Sequence, residues 1–171
     1  MLSEKSLKEF LEELASNKPA PGGGSTAALA GSLAAALVEM VSKLTDTEEM
    51  NEISTKAEKI RRKLTELIDE DCEAFKEFVK APKNQKEEAL KRAALVPLET
   101  AGLSYEILEL VDKTAREGNK NTITDAGIAL LLVNAALQGA DLNVRINLYS
   151  IKDEEFKKKV EEKLERFSDF A

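Results

Sequence analysis

At 171 residues the chain has the size of one domain, long enough to bury roughly 70% of the surface that its unfolded form exposes. Hydrophobic residues make up 43% and charged residues 33%, with only 4 Pro and 8 Gly, which excludes collagen-like and low-complexity chains. The formal charge of −7 opposes nucleic acid and anionic lipid, so small molecules and other proteins are the expected partners.

Strand signals are nearly absent and helical spacing recurs throughout, which predicts an all-α class. Leu7, Phe10, Leu11 and Leu14 predict a first amphipathic helix over about 3–17, stopped by Pro19, with an exit loop over 18–24. From Ser25 the chain runs without a charge to Glu39, fourteen residues, too short a stretch for a membrane span. Its Ala, Gly and Ser content predicts a buried helix to about Leu44 that lets neighbouring backbones approach closely.

After capping-box spacings at Thr45/Glu48 and Asp46/Glu49, a long seam steps by three and four through Met50, Ile53, Ala57, Ile60, Leu64, Leu67, Ala74 and Phe78. Asp71 is the one polar residue in that register. A helix over about 85–116 contains Pro97, which is expected to kink or split it, and Gly118 is its expected C-cap. Thr122 and Asp125 offer another capping box, opening a second buried apolar helix that continues through DLNVRINLYS. A short amphipathic tail with Phe156, Val160, Leu164 and Phe167 closes the chain. No repeat or linker divides the sequence, so residues 1–171 are expected to form a single helical-bundle domain.

The chain has no histidine, and its single cysteine, Cys72, can form no internal disulfide or thiolate cage. Proton transfer therefore falls to Asp, Glu, Lys, Tyr, Cys or water, no metal is expected, and the N-terminus lacks the order of a secretion signal, so a cytoplasmic location is expected. Asp71 is a candidate acid/base if it is buried, since desolvation raises a carboxylate's proton affinity; a rotated seam would leave it at the solvent edge. The loop Pro21, Gly22, Gly23, Gly24, Ser25 enters a helix whose free amides favour negative charge, or is an ordinary turn with a Ser cap. Asn121, Asp125, Asn143, Arg145 and Asn147 form a third polar group. In an unbroken helix, however, Asp125 lies about 27 Å from Asn143, so one small ligand reaches both only through a chain break, for which Gly139 is the candidate, or a second subunit.

PAPGGGS before an Ala-rich helix, then DCEAF, a helix containing Pro97, GNKNTITDAG and finally NVRINL occur in an order that resembles the cyclodeaminase/cyclohydrolase family of folate enzymes. That family includes the C-terminal half of formiminotransferase-cyclodeaminase, and the resemblance covers about residues 5–155. It implies an all-helical fold, a homodimer and tetrahydrofolate carrying a one-carbon unit as substrate, with no further cofactor. It points to the Pro19–Ser25 loop, Asp71, Asn121, Asp125, Asn143 and Asn147 as site residues, with Asp71 and Asp125 as the catalytic pair.

Both family reactions meet at methenyltetrahydrofolate: the cyclohydrolase opens that ring with water, and the cyclodeaminase closes it with loss of ammonia. A free-standing chain has no attached source of the formimino substrate, which favours the cyclohydrolase. The anionic folate tail is expected at Arg145, Arg61 or Arg62 on charge alone. A non-catalytic helical module recruiting a partner helix along the Met50–Phe78 seam is the competing reading.

Overall fold

A computed structural model describes residues 1–168, which form six α-helices, one 3₁₀ turn and no strand. They are α1 (Leu7–Leu14), α2 (Gly23–Thr45), α3 (Glu48–Lys80), α4 (Lys86–Glu117), α5 (Ile123–Tyr149) and α6 (Glu154–Ser168), with the turn at Lys120–Thr122. The predicted helices are all present, and their boundaries differ for identifiable local reasons. Helix α1 is shorter than expected because Ser6 and Glu9 close a capping box at its start and Ser16 folds back onto the Glu13 carbonyl at its end. Its apolar stripe also splits, since Phe10 and Leu14 pack into the core while Leu7 and Leu11 remain exposed.

Helix α2 begins at Gly23 rather than Ser25 and runs for 23 residues, so counting only uncharged residues underestimates it. By length and composition, α2 and the 120–149 stretch could each span a bilayer, with mean hydropathies of 1.5 and 1.4. Here their small residues are used against each other. The sites where side chains would grow from Gly23, Gly31 and Gly139 meet Asn143, Ala136 and Ala27 respectively, so residue numbers fall along α5 as they rise along α2. The two helices are antiparallel, and contacts at three successive turns keep their backbones close. At the far end, Asn119 extends the pattern by donating its backbone N–H to Thr45 Oγ1 and its side-chain amide to the Leu44 carbonyl.

The seam of α3 is buried as predicted, packing on α2 and α4 through Met50, Ile53, Ala57, Ile60, Leu64, Leu67 and Ala74. Its outer edge is laced to α4 by Glu49–Lys113, Lys56–Glu106, Lys63–Glu99 and Glu77–Arg92 pairs, which fix an antiparallel register while adding little stability individually. Helix α3 starts at Thr47, whose side chain accepts from Met50 N–H, and not at either capping box read from the sequence. Asp46, one residue earlier, takes a left-handed φ of 50° and ends α2.

Helix α4 is continuous across Pro97, so the expected split is absent. A proline at 97 leaves the carbonyl of residue 93 without its helical donor. The Asn147 side chain of α5 supplies the missing N–H to Ala93 O at 2.8 Å. Helix α6 closes a second cluster around Leu98, Val144, Leu148, Val160 and Leu164.

Candidate active site

The residue at the N-cap of α2 is Gly22, which has no side chain to cap the helix, so the first-turn amides need an acceptor from elsewhere. Asp71 of α3 supplies one. Its carboxylate accepts from Ser25 Oγ at 2.8 Å and also from the Ser25 backbone N–H, so the third residue of α2 is held by a group 46 positions away in sequence. The fit leaves no room for a side chain at Gly24: a Cβ there would lie 2.6 Å from Asp71 Cγ and closer still to Oδ1. The glycine loop and the polar exception in the seam, two separate sequence features, are therefore one structure.

The environment of Asp71 shifts its proton affinity. Burial pushes the carboxyl above its ordinary value, while the two bonds from Ser25 pull it partly back. Cys72, beside it, is buried, and burial likewise raises its thiol; its Sγ lies 3.2 Å from Ser25 Oγ. A thiol held protonated in this way packs rather than attacks. Pro21 is buried, the Ala20–Pro21 peptide is cis, and Asn143 of α5 borders Gly23 with its amide donating to the Gly139 carbonyl at 2.7 Å.

The Asp71 carboxylate, the start of α2 and the Asn143 amide thus converge at one end of the α2/α5 pair. Asn121 and Asp125 sit at the other end. Helix α5 continues through Gly139 without a break, so the separation of about 27 Å between Asp125 and Asn143 stands within one chain. The Thr122 side chain makes no cap bond; it donates to Asn119 O at 2.7 Å, and Asp125 is half-buried with no hydrogen-bond or ion-pair partner among the described residues.

Asn147 is spoken for by Ala93. The three arginines considered for an anionic tail are also engaged: Arg145 makes a two-pronged pair with Asp141, Arg61 holds Glu39 and Arg62 holds Glu58.

Two acidic residues escaped the sequence reading. Glu39 is buried; its desolvation is outweighed by Lys43 and Arg61, which hold its carboxyl below the ordinary value. Its signal was available, as the lone charge closing the apolar run of α2. Asp69 is buried too and binds the backbone of Leu2 and both the backbone and hydroxyl of Ser3, anchoring the N-terminus to α3. No spacing in the sequence marks that contact. Among the described residues no three Cys, Asp or Glu side chains cluster as metal ligands would.

The sequence profile of the formiminotransferase-cyclodeaminase family matches residues 6–166. The chain is 38% identical to methenyltetrahydrofolate cyclohydrolase of Methylorubrum extorquens, an alignment covering 91% of this chain and 85% of that protein. It is 30% identical to formimidoyltransferase-cyclodeaminase of Mus musculus over 95% of its own length but spans only 34% of that larger protein. Its fold matches the crystal structure of formiminotetrahydrofolate cyclodeaminase from Thermotoga maritima with a TM-score of 0.94 and 36% identity, covering 99% of this chain and 91% of that one. A match of this extent, on a helical bundle whose glycine loop and seam carboxylate meet, places the chain in the formiminotransferase-cyclodeaminase family.

Proposed function

We propose that the protein is a cytoplasmic, homodimeric methenyltetrahydrofolate cyclohydrolase, adding water to the methenyl carbon to give 10-formyltetrahydrofolate. The observation that carries this is the buried Asp71 carboxylate at the start of α2, a base held without histidine in a place that partly excludes water. In this reading Asp71 takes a proton from the attacking water as its oxygen bonds to the methenyl carbon. The same proton passes to the ring nitrogen as the carbon–nitrogen bond opens, and the second water proton leaves to solvent. The negative carboxylate also steadies the amidinium charge before attack. Ser25 keeps Asp71 aimed, and Asn143 offers an amide edge to the substrate beside Gly23.

The 38% identity to a cyclohydrolase of similar length supports this reaction. A second reading, the cyclodeaminase, is favoured by the Thermotoga structure, a chain of comparable length that bears that name. Chain length therefore does not separate the two. The decisive experiment follows the near-ultraviolet absorbance of methenyltetrahydrofolate with wild type and Asp71→Asn. Hydrolysis well above the uncatalysed rate, lost in the variant, is the expected result; ammonia release from formiminotetrahydrofolate without hydrolysis would assign the other reaction.

A further inference from the structure

Helix α3 runs on for more than two turns past the point where α2 begins. Residue numbers fall along α3 as they rise along α2, from Ser25 beside Asp71 to Ser32 beside Thr65, so the last turns of α3 project beyond the start of their neighbour. Phe75 and Phe78 stand one and two turns farther out on the same stripe as Asp71, at spacings of four and seven. Helical side chains lean toward the N-terminus, which tips both rings back toward the carboxylate. The seam predicted from the sequence includes Phe78, yet that ring and Phe75 are only partly buried and belong to neither apolar cluster of the bundle. Two rings spared by the core, in line with a buried carboxylate, make a shelf for a flat aromatic group.

At the outer end of the shelf stands a cation. Lys86, the first residue of α4, places its ammonium 4.5 Å from the centroid of the Phe78 ring and donates to the Val79 carbonyl at 3.1 Å. These contacts hold the side chain without neutralising it, and no carboxylate pairs with it among the described residues. An ammonium has three N–H donors, of which the carbonyl takes one. Arg61, Arg62 and Arg145, by contrast, each already hold an acid.

Length decides what such a row would hold. Along α3 the rise from Asp71 is about 6 Å to Phe75 and about 10.5 Å to Phe78. In extended methenyltetrahydrofolate, standard bond lengths put the centre of the aminobenzoyl ring about 4 Å and the nearer glutamate carboxylate about 10 Å from the methenyl carbon. Resting on the folate reading above, we propose that the aminobenzoyl ring lies on Phe75 and Phe78 and that Lys86 receives the glutamate carboxylate. One stripe of α3 and the first residue of α4 then read the substrate in order, from cationic carbon to aryl ring to acid. Neither the rings nor the lysine touches the reacting carbon, so they supply binding shared by ground and transition states, which appears in KM rather than kcat.

The test sets variants against two substrates, methenyltetrahydrofolate and an analogue in which propylamine replaces the glutamate, so that the aryl amide remains and both carboxylates are gone. Lys86→Met should raise KM for the folate about tenfold at unchanged kcat and leave KM for the propylamide where it was. Lys86→Arg, which keeps the charge, should stay close to wild type. Phe75→Leu and Phe78→Leu, which keep an apolar side chain, should raise KM for both substrates about 3- to 10-fold. A KM for the folate that ignores Lys86→Met, or that rises equally for both substrates, overturns the carboxylate assignment; wild-type KM in both leucine variants overturns the shelf. Equilibrium dialysis with tetrahydrofolate and its propylamide analogue separates this subsite from the reaction assigned above. An enzyme that turns over neither methenyl nor formimino substrate, yet loses affinity for tetrahydrofolate alone in Lys86→Met, keeps the subsite and loses the reaction. Full turnover with KM and Kd indifferent to Lys86 sinks the subsite alone, and a wild type that binds neither ligand sinks both.

Discussion

Two places in this bundle leave backbone groups without a helical partner, and each is answered by a side chain from another helix. At the start of α2 the orphans are donors, and Asp71 accepts from them; in the middle of α4 the orphan is the Ala93 carbonyl left by Pro97, and Asn147 donates to it. The geometry of the problem is alike, but the answers differ in charge. An amide meets a carbonyl without changing its own protonation and so contributes architecture. A carboxylate meeting a helix start where it is largely buried has its proton affinity raised by burial and lowered by its donors, and that balance suits it to chemistry.

Asp71→Asn sharpens the comparison most. Turnover is expected to fall by about 10³-fold, while the protein stays folded. A carboxyl whose folded proton affinity is raised contributes stability below its unfolded value of 3.8 and loses that contribution as pH rises through the folded value. The amide variant should therefore melt at the same temperature as wild type or higher near pH 7, with the difference vanishing in acid. A large drop in melting temperature at pH 7 would make Asp71 a structural cap like Asn147.

Gly24→Ala should follow, because the new methyl displaces the Asp71 carboxylate. A loss of about 100-fold in kcat is expected with a destabilisation of about 1–3 kcal/mol, read by steady-state kinetics and thermal melting together. Asn147→Ala is the converse experiment. It leaves a buried carbonyl unmet, at a cost of about 1–3 kcal/mol, and should leave KM for the folate unchanged among folded molecules. A rise in KM with stability intact would return Asn147 to the substrate.

Ser25→Ala is expected to be milder. With the hydroxyl donor gone, burial acts on Asp71 with less opposition, so the acid limb of kcat/KM should move to higher pH, accompanied by about a tenfold loss at neutral pH. Arg62→Ala, which removes an exposed pair with Glu58, serves as the small end of the series, within about 0.5 kcal/mol by denaturant titration.

The fold was largely legible because its determinants are periodic. The α3 seam, the two small-residue helices and the amphipathic tail are each written in residues three and four apart. Asp71 was legible as an interruption of such a period. What could not be read were contacts that depend on where separate helices cross. Ala93 and Asn147 are 54 positions apart, and only the antiparallel approach of α5 to α4 converts Pro97 from a breaker into a position with a substitute donor. Likewise the sequence shows that Arg61, Arg62 and Arg145 are basic but not that each already holds an acid; two of those partners lie four residues away, where helical geometry could have suggested them. The capping duty expected of Thr122 and Asp125 failed because a 3₁₀ turn precedes α5 and draws the threonine hydroxyl back to Asn119.

The space that Asp71 occupies is the side chain that Gly24 does not have. Lineages of this fold cannot therefore drift at one of these two positions alone: a methyl gained on α2 demands a smaller or relocated acid on α3, and a glutamate at 71 would need more emptiness than a glycine can offer. Two codons 47 apart are bound into one heritable unit by a missing carbon atom.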